Sequence, residues 1–287
     1  MSHVYADRLR VRHNELDTFG RVYPAAYLRW LTDTAIAASA DAGFDASWYR
    51  RFGAWWLVRR SMLEVRRPLG ADAEITVRTW VDDFRRVRSW RRYEIVDEAG
   101  EVVVAAASDW VFADTVTGKP RRVPPEMEQA FGFEPGHTGA VRPAWSAPFA
   151  PAAPARTSHR VGYAELDSLQ HVNNAAYVDI LSQGALDALE GVGWPLARMA
   201  ANGAVPWLAS VDVEYLEAAL YGDELQVVSW FTLADGGLDV HQHVVRAADG
   251  TVMVRGSSGW RWADGRTGIA AASPAGLDEA LTRLRAA

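Results

Sequence analysis

The chain has 287 residues, 49% hydrophobic and 23% charged, a globular rather than a disordered balance. It contains no cysteine, which rules out thiol nucleophiles, disulfides, iron–sulfur clusters and cysteine-bound zinc. Its net charge of −6 argues against a nucleic-acid partner, although Arg50 to Arg92 holds twelve arginines against five acids, enough for a local anion site.

Along the chain, the N-terminal residues lack the charged and apolar regions of a secretory signal, so a cytoplasmic location is expected. The longest apolar run, Val102 to Ala107, is far short of the roughly 20 residues of a membrane span. A helix is predicted from Pro24 to about Ala40, and a hairpin turn at Asp97-Glu98-Ala99-Gly100. The stretch from Lys119 to Arg156 is rich in Pro, Gly and Ala, including Pro135-Gly136, and its later part is expected to link two domains. Thr157 to Tyr163 then forms a short strand. Apolar residues at Tyr177, Ile180, Leu181, Ala185, Ala188 and Leu189 follow a helical period, which Gly191 and Gly193 end. Strands are predicted at Val205–Leu216, Glu224–Leu233, Leu238–Arg246 and Val252–Trp262, separated by glycine turns.

The two halves are copies. Leu16-Asp17 recurs as Leu166-Asp167, an offset of 150, and at the same offset fall Ala25-Ala26-Tyr27 and Ala175-Ala176-Tyr177, Trp80 and Trp230, Trp110 and Trp260, and Thr117-Gly118 and Thr267-Gly268. The expected organisation is an N-terminal domain over 1–130, a linker over 131–155 and a C-terminal domain over 156–287. Each domain is α+β, with one long helix packed on an antiparallel sheet.

The string Glu15-Leu16-Asp17-Thr18-Phe19-Gly20-Arg21-Val22-Tyr23-Pro24 resembles the active-site segment of 4-hydroxybenzoyl-CoA-type thioesterases. Asp167-Ser168-Leu169-Gln170-His171-Val172-Asn173-Asn174 is similar to the His-Val-Asn-Asn form found in acyl-acyl carrier protein thioesterases, which also carry two such domains in tandem. The resemblance spans both halves. It implies two hotdog domains, hydrolysis of acyl-CoA or acyl carrier protein thioesters, and a catalytic role for Asp17 and Asp167. Thioester hydrolysis requires the carbonyl oxygen to be polarised while its carbon is attacked. An unpaired N–H at a helix tip can hold the oxyanion, and a carboxylate in the preceding loop can act as general base or nucleophile. Pro24, seven residues after Asp17, has no N–H to give, whereas Asn174 at the matching position keeps one. His171 also replaces Arg21 there. Asp167 with His171 and Asn174 is therefore the preferred centre, and Asp17 the second. The plant-type pattern has an asparagine two residues after the aspartate, where this chain has Leu169, which favours a mechanism resting on a lone aspartate.

Asn173, Tyr23, Tyr27 and Tyr177 beside the helix starts, with Arg59 and Arg60 in the arginine-rich stretch, are the candidate substrate-binding residues. His241 and His243 share one strand face but have no further ligands nearby, so a metal site is not expected. No cofactor is called for, since coenzyme A or phosphopantetheine enters with the substrate. The halves are expected to pair as an internal pseudo-dimer, with homo-oligomerisation left open and no membrane partner. Two alternatives are a hotdog dehydratase or cyclase acting on carrier-bound intermediates, and a non-catalytic module that binds acyl thioesters.

Overall fold

The computed structural model describes residues 3–134 and 142–286, and the chain divides into two compact units, Met1–Ala144 and Trp145–Ala287. Residues 135–141, including the Pro135-Gly136 pair of the expected linker, lie outside the described residues.

The first unit contains β1 (Tyr5–Arg10), α1 (Pro24–Asp41), α2 (Ala46–Phe52), β2 (Ala54–Val65), β3 (Glu74–Arg85), β4 (Arg88–Asp97), β5 (Val102–Asp114) and α3 (Pro125–Ala130). Its five strands are antiparallel in the order β1-β3-β4-β5-β2. Proline opens α1 where no N–H is needed, and the helix buries Ala25, Tyr27, Leu28, Leu31, Ala35 and Ala38 along one face. Gly43, at φ +93°, turns the chain away just past its end.

The second unit repeats this layout with β6 (Ala155–Arg160), α4 (Asn174–Gly191), α5 (Leu196–Ala201), β7 (Val205–Tyr215), β8 (Glu224–Ala234), β9 (Gly237–Arg246), β10 (Val252–Ala263) and α6 (Leu277–Ala286). The strand order is β6-β8-β9-β10-β7, again antiparallel. Both long helices begin and end at the 150-residue offset. So do two isolated bridges: Leu16 with Val22 matches Leu166 with Val172, and Ala113 with Pro120 matches Ala263 with Ala270. A long helix against an antiparallel sheet, present in each unit, is the hotdog arrangement.

Helix and sheet approach closely in the second unit. A Cβ built on Gly184 of α4 would lie 2.7 Å from Val227 Cγ1 of β8, so any larger residue would push the layers apart. The strand expected at Thr157–Tyr163 starts and ends earlier, and a single 3-10 turn, Tyr163–Glu165, follows it. The helices α2, α3, α5 and α6 were not predicted. The first three have at most seven residues, fewer than the two turns needed to display a period.

Candidate active site

Each conserved-offset aspartate opens a tight turn. Asp167 N–H donates to His171 O at 2.9 Å and Gln170 N–H donates to Asp167 O at 3.0 Å; Asp17 and Gly20 make the matching bonds in the first copy. The fourth residue of each turn is left-handed: Gly20 at φ +73° and Gln170 at φ +64°. A brace joins each turn to the helix tip, where Asn173 N–H donates to Glu165 O at 2.8 Å and Tyr23 N–H to Glu15 O at 2.9 Å. Glu165 Oε2 in turn accepts from Gly162 N–H at 2.7 Å and Glu15 Oε1 accepts from Trp30 Nε1 at 2.8 Å. Glu15 and Glu165 recur in sequence, but only the structure shows that they hold the loops in place.

The two carboxylates are partnered differently. Asp17 Oδ1 accepts from the N–H groups of Phe19 and Arg21 at 2.8 and 2.9 Å, and Oδ2 meets Arg21 Nε at 3.2 Å and Nη2 at 3.0 Å. Asp167 Oδ1 accepts from Leu169 N–H at 2.8 Å. Among the described residues, no group donates to Asp167 Oδ2, and the half-buried His171 ring makes no hydrogen bond or ion pair. A carboxylate oxygen without a donor keeps its lone pairs for a water or a carbonyl.

The helix tips differ as well. At the second, Asn173 is the N-cap, its Oδ1 accepting from Ala175 N–H at 2.9 Å. Asn174 is the first helical residue, and no described group accepts its N–H. Its carbonyl accepts from the Tyr215 hydroxyl at 3.0 Å, a contact to the helix tip that sequence reading missed because Val65 stands at the matching position of the first copy. At the first tip the cap is Tyr23, exposed and without a side-chain cap bond, and Pro24 follows.

The other singled-out residues fall into structural positions. Tyr27 and Tyr177 are buried, and their hydroxyls accept from Leu69 N–H at 3.1 Å and Ala219 N–H at 3.2 Å. Burial is the main reason both phenols are pushed up to about 12, so they stay protonated. Arg60 is buried and donates through Nη1 to Pro143 O at 2.6 Å, while Arg59 is half-buried and already engaged. Much of the remaining arginine-rich stretch is also committed, since Arg85 and Arg88 pair with Asp83 and Asp109, which Arg142 bridges. Glu214 is held by Arg255, with Oε2 2.6 Å from Nε. His241 is buried between the hydroxyls of Thr232 and Ser257, each 3.0 Å away, and His243 lies edge-on to Trp230. Among the described residues, no three His, Asp or Glu side chains gather as a metal site would need, and no helix is long and apolar enough to cross a membrane.

Two family models match the chain: that of the acyl-ACP thioesterase N-terminal domain over residues 2–131, and that of the thioesterase-like superfamily over residues 161–281. YneP of Bacillus subtilis, provisionally named an acyl-CoA thioesterase, is 30% identical over 132 residues, 45% of this chain and 96% of its own. The chloroplastic palmitoyl-acyl carrier protein thioesterase of Cuphea hookeriana is 25% identical over 243 residues, 80% of this chain. The chain spans 54% of that plant relative's length. The solved structure of a provisionally assigned oleoyl thioesterase from Lactobacillus plantarum has a TM-score of 0.78 at 18% identity, covering 91% of this chain and 96% of its own. At that identity the likeness is one of fold.

Proposed function

The chain belongs to the hotdog thioesterases and is a thioester hydrolase, and we propose that it cleaves acyl groups from coenzyme A or an acyl carrier protein, with Asp167 as the working carboxylate. In this reading Asp167 Oδ2 takes a proton from a water whose oxygen adds to the thioester carbonyl carbon. The displaced electron pair moves onto the carbonyl oxygen, and Asn174 N–H receives that oxyanion at the positive end of α4. When the tetrahedral centre collapses, the C–S bond breaks and sulfur leaves with the proton held by Asp167. The products are a carboxylic acid and a free thiol. His171 borders the same loop and would position the water or the thioester.

One observation carries the choice of half. Among the described residues, the second copy combines a carboxylate oxygen that has no donor with a helix tip that keeps its N–H, whereas the first copy has Arg21 on Asp17 and proline at the tip. Thiol-release kinetics on acyl-CoA and acyl carrier protein substrates test it. Asp167→Asn should lower kcat by about 10²–10⁴-fold, the usual worth of a general base. Asp17→Asn should stay within about threefold of wild type, because its carboxylate is assigned no part in catalysis. The reverse pattern would move the reaction to the first copy.

A further inference from the structure

The Asn173–Asn174 peptide carries the N–H assigned to the oxyanion, and the helix ladder itself holds that peptide weakly. Its carbonyl, Asn173 O, accepts from Tyr177 N–H at 3.4 Å, longer than a well-formed bond of this kind. At the first tip the matching carbonyl, Tyr23 O, accepts from Ala26 N–H at 2.9 Å. The orientation of the second tip therefore rests on the groups at either side of the peptide. Before it, Asn173 N–H donates to Glu165 O at 2.8 Å. After it, the Tyr215 hydroxyl donates to Asn174 O at 3.0 Å.

Both copies have the scaffold that delivers Tyr215, but only the second has the hydroxyl. Tyr215 ends β7 opposite Val254, and Leu216 N–H and Glu217 N–H both donate to Met253 O, at 2.8 and 3.1 Å. In the first copy Val65 ends β2 opposite Val104, and Arg66 N–H and Arg67 N–H converge on Val103 O, at 2.9 and 3.5 Å. Val65 has no hydrogen to donate, and Pro24 has no N–H to aim. Tyrosine thus stands in the copy whose tip keeps its N–H, and valine in the copy whose tip lacks it.

Packing fixes where the phenol lies. Tyr215 is half-buried, and its ring is tilted 51° against that of the buried Tyr177, with centroids 5.9 Å apart. Tyr177 belongs to the first turn of α4, and its own hydroxyl is tied to Ala219 N–H at 3.2 Å. The Tyr215 ring therefore braces the same helical turn whose first carbonyl its hydroxyl holds.

We propose that Tyr215 is a positioning residue for thioester hydrolysis: by holding the first carbonyl of α4, it keeps the Asn174 N–H pointed at the thioester oxygen. The proposal rests on the reading above, in which that N–H receives the oxyanion. The part played by Tyr215 is geometric, since a donor contributes fully only when it already faces the place where charge builds.

The substrate for the test is whichever of the octanoyl and palmitoyl thioesters of coenzyme A or acyl carrier protein wild type hydrolyses fastest. Tyr215→Phe, which removes only the hydroxyl, should lower kcat about three- to tenfold, the net worth of one hydrogen bond, and leave KM within about twofold. Tyr215→Met, also without a hydroxyl, should show the same split and replaces it if Tyr215→Phe does not fold. The second readout is the infrared carbonyl band of that thioester, labelled with carbon-13 and bound to Asp167→Asn, which the reading above makes inactive. An N–H on the carbonyl oxygen lowers the band relative to free thioester. Adding Tyr215→Phe should return it toward the free value, a change that lost packing alone would not give. A lowered band that stays in place in the double variant overturns the role of Tyr215, whatever happens to kcat, and leaves the oxyanion reading standing. A band that is not lowered even with Tyr215 present overturns the oxyanion reading itself, and this proposal with it.

Discussion

Arg21 closes over Asp17, with Nη2 3.0 Å and Nε 3.2 Å from Oδ2, and its own N–H occupies Oδ1 at 2.9 Å. Four residues on in the second copy stands His171, and its ring leaves Asp167 alone. If these differences decide which half works, grafting them should create a second centre. In an Asp167→Asn background, Arg21→His together with Pro24→Asn should restore thiol release by at least about tenfold, and either change alone should restore less. Arg21→His by itself should also lower stability by about 1 kcal/mol, because the pair it breaks is largely shielded from water. Thiol release and thermal melts of the three variants check both points, and no recovery in the double graft would show that the copies differ for another reason.

Gln170 occupies the left-handed region at φ +64°, where the first copy has Gly20 at φ +73°. A side chain there costs roughly 1 kcal/mol against glycine, offset in part by the extra freedom glycine gives the unfolded chain. Gln170→Gly should raise the melting temperature slightly and leave KM unchanged, while Gln170→Val should lower it, since a β-branched residue fits this region worst. A stabilising Gln170→Val would mean that the turn opens in solution.

The order of elements was legible because the duplication let each half check the other. The strands β7 to β10 end within a residue or so of the predicted bounds, since Gly222 and Gly250 adopt positive φ in the turns between them. The aspartates and Asn174 were legible through the repeated motif, as was the missing N–H at Pro24. The partnership of Arg21 was not, because a charge four residues away within a loop says nothing until the turn is closed. Arg91 and Arg60 were hidden for a related reason. An arginine in an alternating strand pattern looks like a solvated face, and only register and packing reveal that these two are buried.

His241 and His243 both have pKa values held below the ordinary 6.5, mainly by desolvation, and for His243 also by the charge of Arg255. The unfolded chain therefore takes up protons at these positions before the folded one does. Stability should be unaffected by them above about pH 6.5 and should fall as pH drops from there toward their folded pKa values. The hydrogen-bonded carboxylates Asp114 and Asp264, whose pKa values are lowered mainly by backbone N–H groups, act only in the carboxylate range well below this. Melting curves between pH 7.5 and 5 should thus show a decline that His241→Gln makes shallower. A slope that the substitution leaves unchanged would show that His241 is not a proton-linked group.

Asn173 separates the two tasks of the α4 tip. Its Oδ1 caps Ala175 N–H at 2.9 Å, and the next residue carries the N–H assigned to the oxyanion. Aspartate caps a helix as well as asparagine does and adds a charge that suits the dipole, so Asn173→Asp should hold or raise the melting temperature. The same negative charge would sit beside an oxygen that becomes negative during the reaction, so kcat should fall by about tenfold with far less change in KM. Asn173→Ala should behave in the opposite sense, losing about 1 kcal/mol of stability with a smaller effect on kcat. If the Asn173→Asp variant keeps full kcat, no oxyanion forms at this tip, and the helix start serves the fold alone.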